Sequence, residues 1–329
     1  MIDSNARTDE AAPRADDARG RMRPTLRLAL QRVWHRSDPL LSSGIHRLPR
    51  LLKLLLFRAL ARDLRIASVA VMGETGVYVA SPLDLGVISE YMFTGSYSPA
   101  LMTFLLRRFE QAGGGTFVDI GANIGLTSRP FAERGIVCHC FEPDRTNFRW
   151  LSLNIRAREL TQVHLYDVAL FDRNGTVEFE LSDWNHGDHR VHTSNAKGAF
   201  GEQHRTVTNV PCRKLDDVIN LSTVTMRPLV VKIDTQGAEA HVIRGGSKLI
   251  AAADVLSLEF CPYLVRRMGE HEQSLIDFAA THFNHGVIGN WHRDATIPAL
   301  LPIKEVAQQL SAASSAMRST AHLDVLLTK

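Results

Sequence analysis

Residues 116–127, Thr-Phe-Val-Asp-Ile-Gly-Ala-Asn-Ile-Gly-Leu-Thr, constrain this chain more than any other stretch. An apolar run meets a glycine-rich turn, and the turn meets a helical pattern. Residues 117–120 read as a buried strand. Gly121 and Gly125 permit backbone torsions and close approaches that a Cβ would block. The N–H groups that open the next helix then face whatever lies above the strand. Open α/β sheets hold nucleotide-like ligands in this way, at the carboxyl ends of their strands. The spacing is G-x-x-x-G, not the G-x-G-x-x-G of dinucleotide-binding turns. By itself such a turn is equally compatible with a strand-to-helix corner that holds nothing, so the rest of the chain decides.

After the turn, strand and helix patterns alternate. The order is helix 126–134, strand 136–141, helix 145–158 and strand 163–168, then strand 229–233, helix 238–253, strand 255–260, helix 272–283, strand 286–291 and a last strand 323–327. Repeated βαβ units imply a mostly parallel, doubly wound sheet with helices on both faces. Ala169-Leu170, the turn signal Asn174-Gly175 and the alternating runs 176–181 and 206–211 read as a β insertion around the loop 182–205. Ahead of the glycine turn lie a hairpin over 69–80, a short helix over 84–91 and an amphipathic helix over 99–111 ended by Gly113-Gly114-Gly115.

A chain of 329 residues suits one or two domains. Residues 1–24 are rich in Ala, Arg and Asp without periodicity and read as a disordered tail. Residues 25–66 read as a basic helical extension, and 67–329 as the main domain. Between Arg19 and Arg65 twelve Lys or Arg face only Asp38 and Asp63. A basic, leucine-rich helix there has two readings. One is peripheral contact with an anionic membrane; the favoured one is packing on the domain with the arginines outward. The net charge of +3 is too small to argue for nucleic acid. No run reaches the roughly 18–20 apolar residues of a membrane span. The four cysteines form no C-x-x-C pair, and with no signal peptide they point to a reducing cytoplasm. Cys138 and Cys140 flank His139 on one strand face and read as buried thiols rather than metal ligands.

Acidic residues recur at strand ends. Glu142, in Phe141-Glu142-Pro143-Asp144, ends the strand after the glycine turn, where an acid accepts hydrogen bonds from ribose hydroxyls. Asp144 suits a helix cap, which leaves Glu142 free for ligand. Asp167 ends the next strand and could meet an adenine edge, or stabilise a turn. Asp234, in Lys232-Ile233-Asp234-Thr235-Gln236-Gly237-Ala238-Glu239, is delivered into the crevice by a buried strand. The loop Asp183-Trp184-Asn185-His186-Gly187-Asp188-His189-Arg190-Val191-His192 is dense in groups that bind sugars or move protons. In it His189 is a candidate base, with Arg190 and Asn185 candidate acceptor contacts. His139 and His164 sit in strand patterns as core or surface residues.

In order, Asp119-Ile-Gly-Ala-Asn-Ile-Gly125, Phe141-Glu142-Pro143, Ala169-Leu170 with Asn174-Gly175, Lys232-Ile-Asp234-Thr-Gln-Gly237-Ala-Glu239 and Leu258-Glu259-Phe260 together resemble the FkbM family of S-adenosylmethionine-dependent methyltransferases. The resemblance covers roughly residues 70–329. It implies a class I methyltransferase (Rossmann-like) fold: a seven-stranded sheet whose last strand is antiparallel. It also implies methylation of a hydroxyl oxygen, often on a sugar, glycolipid, polysaccharide or natural product. Carried over, Asp119, Gly121, Asn123 and Gly125 line the methionine end of S-adenosylmethionine, Glu142 holds the ribose and Asp167 lies near the adenine. Asp234 and Glu259 face the transfer site as catalytic candidates. Gln236 stands where family members often carry Glu, so that side chain is no essential base. Asp234 and Glu259 could share a divalent cation, but no third ligand is visible and no metal is assigned. Two other readings remain. A nicotinamide-dependent oxidoreductase would want the missing third glycine, and a non-catalytic binding protein would not need Asp119, Glu142 and Asp234.

Overall fold

The structure is a computed structural model that describes residues 49–194, 196–292, 294, 296–317 and 321–329. The expected tail 1–24 and the first part of the basic extension lie outside the described residues. The chain divides into two units, Met1–Leu55 and Leu56–Lys329, and the second carries every element after the first helix.

That helix, α1 (Arg50–Asp63), begins in the first unit. In its part in the second unit Arg62 is exposed as expected, but Arg58 is not. Leu56 and Leu60 are more than half exposed, while Arg58 is buried. The Arg58 guanidinium lies 4.5 Å from the centre of the Trp184 ring and donates to the Leu83 carbonyl. Cation–π attraction and a neutral acceptor thus hold the charge that was expected in water. No described helix is long and apolar enough to cross a membrane.

Strands β1 (Val69–Gly73) and β2 (Gly76–Ala80) form the expected antiparallel hairpin. Helix α2 (Val87–Thr94) follows, and α3 (Pro99–Ala112) presents Leu101, Leu105 and Phe109 to the core. The sheet opens with β3 (Thr116–Ile120). Then come α4 (Ser128–Ala132), β4 (Val137–Phe141), α5 (Arg145–Arg156) and β5 (Val163–Tyr166). The insertion contributes β6 (Ala169–Leu170), β7 (Gly175–Leu181), β8 (Arg190–Val191) and β9 (Thr206–Arg213), with the short α6 (Leu215–Val218) behind them. The sheet resumes with β10 (Leu229–Ile233), α7 (Glu239–Gly245), α8 (Ser247–Ala251) and β11 (Val255–Phe260). It closes with α9 (Pro262–Arg267), α10 (Gln273–His282), β12 (His285–Gly289), β13 (Leu301–Pro302), α11 (Ile303–Ala316) and β14 (Leu323–Thr328).

The main sheet runs β13-β12-β14-β11-β10-β3-β4-β5. Strands β11, β10, β3, β4 and β5 are parallel, so their carboxyl ends share one rim. The terminal β14 is antiparallel between β11 and β12, as the resemblance implies. The sheet has eight strands rather than seven because the two-residue β13 pairs with the outer edge of β12. The insertion is a separate four-stranded sheet, β6-β9-β7-β8. Asn174-Gly175 does not join a hairpin there, since β6 and β7 both pair with β9.

Two apolar layers cover the sheet. Val118, Ile120, Val231 and Leu258 face helices α7 to α11, while Phe117, Val230 and Leu326 pack toward Leu105, Phe131 and Leu151. All four cysteines are buried free thiols.

Candidate active site

Strand β3 carries Asp119 to the shared rim, where it is fully buried and opposite Lys232 of β10. Among the described residues neither Asp119 carboxyl oxygen has a hydrogen-bond partner. Its nearest cation among the described residues is Lys232 Nζ, at 3.6 Å, and the Ser128 hydroxyl and Asp234 also act on it. Burial pushes the Asp119 carboxyl up, and Lys232 offsets part of that. Lys232 also donates to Asp234 Oδ2 at 3.2 Å. Burial alone would lower the ammonium's pKa, but Asp234 and Asp119 outweigh it and raise it.

The turn after β3 is held from both sides. Gly121 has φ +82°, and a Cβ there would overlap the Asp234 carbonyl oxygen, so the β3 and β10 loops touch only because residue 121 lacks a side chain. The Gly121 and Ala122 N–H groups both donate to the Phe141 carbonyl, each at 3.0 Å. Asn123 takes φ +51° and donates its N–H to Glu142 Oε2 at 2.9 Å.

Glu142 directly follows β4 and is buried. Its Oε1 accepts the Asp144 N–H at 2.9 Å, so each oxygen has one backbone bond and lone-pair capacity left. Burial pushes the Glu142 carboxyl up to about 8. Asp144 caps α5 through the Asn147 N–H at 2.8 Å, as expected. Asp167 is exposed just beyond β5, one strand further along the rim.

On the other side of β3 the rim is a chain of carboxylates. Asp234 Oδ1 and Glu259 Oε2 each accept from the Gln236 amide at 2.9 Å. One amide thus uses both donors to join the two candidates, at a residue with φ +55°. Burial pushes Asp234 up, but Lys232 and Gln236 more than offset it and hold it below the usual carboxylate range. Burial, and then Asp234, drive Glu259 well above that range. The two environments therefore push the pair apart, Asp234 downward and Glu259 upward.

Glu259 lies opposite Asp324 of β14, whose Oδ2 accepts the Trp291 N–H at 2.7 Å. The next residue, His292, shares its Nδ1 with Glu90 Oε1 of α2 at 3.0 Å. Tyr97 packs edge-on against the His292 ring, with centroids 4.9 Å apart. Lys232, Glu90, Tyr97, His292 and Asp324 were not expected here. The available signal was that residues 291 and 292 follow a strand ending at the same rim; no local motif marks Glu90 or Tyr97.

The loop after β7 folds against the glycine turn. The His186 carbonyl accepts from Asn123 Nδ2 at 3.0 Å and Asn147 Nδ2 at 2.9 Å. Asp84 Oδ1 accepts the His186 N–H at 3.1 Å. Asn185 accepts the Gly187 N–H and caps this one-turn helix, so its amide has a local task. His189 differs from its expected role as a free base. Its Nδ1 accepts the Ser182 N–H at 2.9 Å, so in the neutral ring the proton lies on Nε2 and no lone pair is left. Burial, and then His186 and Arg205, lower its pKa to about 3. Arg190 is buried against Glu180 and Asp188 with its guanidinium over Phe200, an enclosed setting for an expected acceptor contact.

The rim fits a cationic, nucleoside-bearing methyl donor. Asp119 is a buried carboxylate without hydrogen bonds, and the neighbouring turn is closed to any Cβ at residue 121. With β14 antiparallel between β11 and β12, the fold is that of the class I methyltransferases. Residues 119–281, just under half of the chain, match the model of the methyltransferase FkbM domain. The chain is 28% identical over 160 residues to the 2-O-methyltransferase NoeI of Sinorhizobium fredii. That match covers 44% of this chain and 62% of NoeI. Among solved structures, M. jannaschii TYW2 in complex with AdoMet has a TM-score of 0.35 at 11% identity, covering 79% of this chain and 85% of that one. A SAM-dependent methyltransferase from Agrobacterium tumefaciens has a TM-score of 0.38 at 10% identity, covering 80% and 70%.

Proposed function

We propose that the chain transfers the methyl group of S-adenosylmethionine to a hydroxyl oxygen of a carbohydrate-type acceptor. The observation that carries this reading is the split pair at the rim. Asp234, paired with Lys232 and pushed down, and Glu259, pushed up by burial, are joined by Gln236 beside the buried Asp119. One group accepts and the other donates, which suits neighbouring hydroxyls of a sugar. The 2-O-methyltransferase named among the relatives supports oxygen as the acceptor atom.

In this reading Asp119, Gly121, Asn123 and Gly125 line the methionine end of the donor. Asp119 sets a buried negative charge opposite the donor's positive groups, where low dielectric strengthens the attraction. Glu142 uses its remaining lone pairs for the ribose hydroxyls, and Asp167 lies toward the adenine. The donor brings a methyl group already activated on sulfur, so the chain's main task is positioning. Asp234 accepts from one acceptor hydroxyl and fixes its angle of approach, while Glu259 donates to the next. Because its pKa is held low, Asp234 orients the acceptor better than it takes its proton.

Incubation of the chain with methyl-tritiated S-adenosylmethionine and a panel of methyl glycosides tests the proposal. Tritium in a base-stable ether is the expected result. Donor binding by calorimetry with no label in any glycoside would refute the acceptor class. NAD in the same calorimeter should give no heat.

A further inference from the structure

Methyl transfer to an alcohol needs a group that removes the hydroxyl proton, and the groups named so far supply it poorly. Asp234 is stabilised as an anion by Lys232, Glu259 is tied to the Gln236 amide and pushed up by burial, and His189 has spent its lone pair on Ser182. His292 is placed differently. Its Nδ1 faces Glu90 Oε1 at 3.0 Å, with Ser98 Oγ at 3.5 Å, while Nε2 has no hydrogen-bond partner among the described residues. A carboxylate at Nδ1 fixes the tautomer that leaves the Nε2 lone pair bare. The ring is about one-third exposed and so is reachable. It interacts electrostatically with Asp234 and Asp324, which places it at the end of the sheet that carries the split pair.

The backbone supports a functional reading. Ser98, between Tyr97 and α3, takes φ +45°, and Asn123 and Gln236 are also left-handed. Three of the five described non-glycine residues with positive φ thus lie around this rim, and such strain concentrates at active sites.

We propose that His292 is the general base for the acceptor hydroxyl and that Glu90 is its positioning residue. The inference rests on the methyl-transfer reading above. As the acceptor oxygen bonds to the methyl carbon, the carbon–sulfur bond breaks and its electron pair stays on sulfur. The hydroxyl proton passes to His292 Nε2, and the imidazolium returns it to water. The groups facing His292 are Glu90 from α2, Tyr97 from the segment before α3, Asp234 beyond β10 and Asp324 of β14. Burial alone would lower the imidazole's pKa, but Glu90, with help from the two Asp residues, raises it above the ordinary 6.5.

Two measurements decide the matter. Imidazole nitrogen NMR of the chain with bound S-adenosylhomocysteine should show neutral His292 carrying its proton on Nδ1, with a pKa above 6.5 that falls in Glu90→Gln. A proton on Nε2 in the neutral ring, or no change in Glu90→Gln, would overturn the assignment. In the tritium assay with methyl glycosides, His292→Gln should lose about 10²-fold or more in kcat, while a loss within about threefold would remove His292 from the reaction. Unchanged calorimetric affinity for S-adenosylmethionine shows the variant folded, and His292→Asn serves if it is not. Glu90→Gln should also move the ascending limb of the pH–rate profile to lower pH, and Glu90→Asp should restore it in part. A wild-type chain that binds the donor yet labels no glycoside sinks the acceptor reading and the role of His292 together. Equal rates in wild type and His292→Gln sink the role of His292 alone.

Discussion

Asp119 shows how much one side chain can reveal. A buried carboxylate that no donor meets in good hydrogen-bond geometry costs stability, and Lys232 at 3.6 Å and the Ser128 hydroxyl answer it only in part. Such a group persists where a ligand completes it. Asp119→Asn removes the charge and keeps the shape. Since charge-assisted hydrogen bonds contribute roughly 1.5–3 kcal/mol, the variant's calorimetric Kd for S-adenosylmethionine should rise about 10–100-fold. Its thermal midpoint should hold or increase, because Lys232 keeps Asp234 as a partner. Unchanged affinity would take Asp119 out of the donor site. Gly121→Ala tests the wall beside it. The added Cβ would meet the Asp234 carbonyl at φ +82°, so urea unfolding should show a loss of about 1–3 kcal/mol, with weakened donor binding.

Elements explain both what the sequence disclosed and what it hid. Strands β3, β10 and β11 were legible because buried parallel strands are short apolar runs; the end of β10 pointed to Asp234, while Asp119 and Glu259 were singled out by the family resemblance. The single helix expected over 238–253 is instead α7 and α8, interrupted at Gly246. A Cβ there would press on Leu215 of α6, a contact no local pattern encodes. Helix α11 went unread because only Val306, Leu310 and Ser314 mark its buried stripe among small and polar residues. The dyad of Glu90 and His292 was hidden for a stronger reason: its members are 202 residues apart. Asp84 is of the same kind. Its Oδ1 accepts the Gly86 and His186 N–H groups and its Oδ2 the Ile88 N–H, fastening the 186 loop to the start of α2. Asp84→Ala should cost about 1–2 kcal/mol, the range for a lost helix cap. Hydrogen exchange over residues 184–189 should quicken while exchange in β10 stays slow; equal protection in both proteins would show that Asp84 does not hold the loop.

Across the whole molecule two glutamates with displaced pKa values set opposite pH limits on stability. Burial raises Glu142 from 4.5 to about 8, so the folded chain keeps a proton that the unfolded chain releases. Its contribution is complete below pH 4.5 and is lost as pH rises toward 8. Glu272 goes the other way. Burial acts to raise it, but Arg266 and Ser314 outweigh this and hold it at about 2. Its contribution is present above pH 4.5 and is lost as pH falls toward 2. Thermal midpoints across this range should therefore fall on both sides. Glu142→Gln should flatten the decline between 4.5 and 8, and Glu272→Gln the decline below 4.5. The donor couples to the first of these limits. Ribose hydroxyls donating to Glu142 favour its ionised form, so binding near neutral pH should expel up to about one proton from the site. Calorimetry in phosphate and in Tris, whose heats of protonation differ, reads that proton directly. The apparent binding enthalpy should differ between the two buffers for the wild-type chain and agree for Glu142→Gln. Equal enthalpies in the wild type would mean that the donor leaves Glu142 protonated, and the ribose contact would then have to be made elsewhere on the rim.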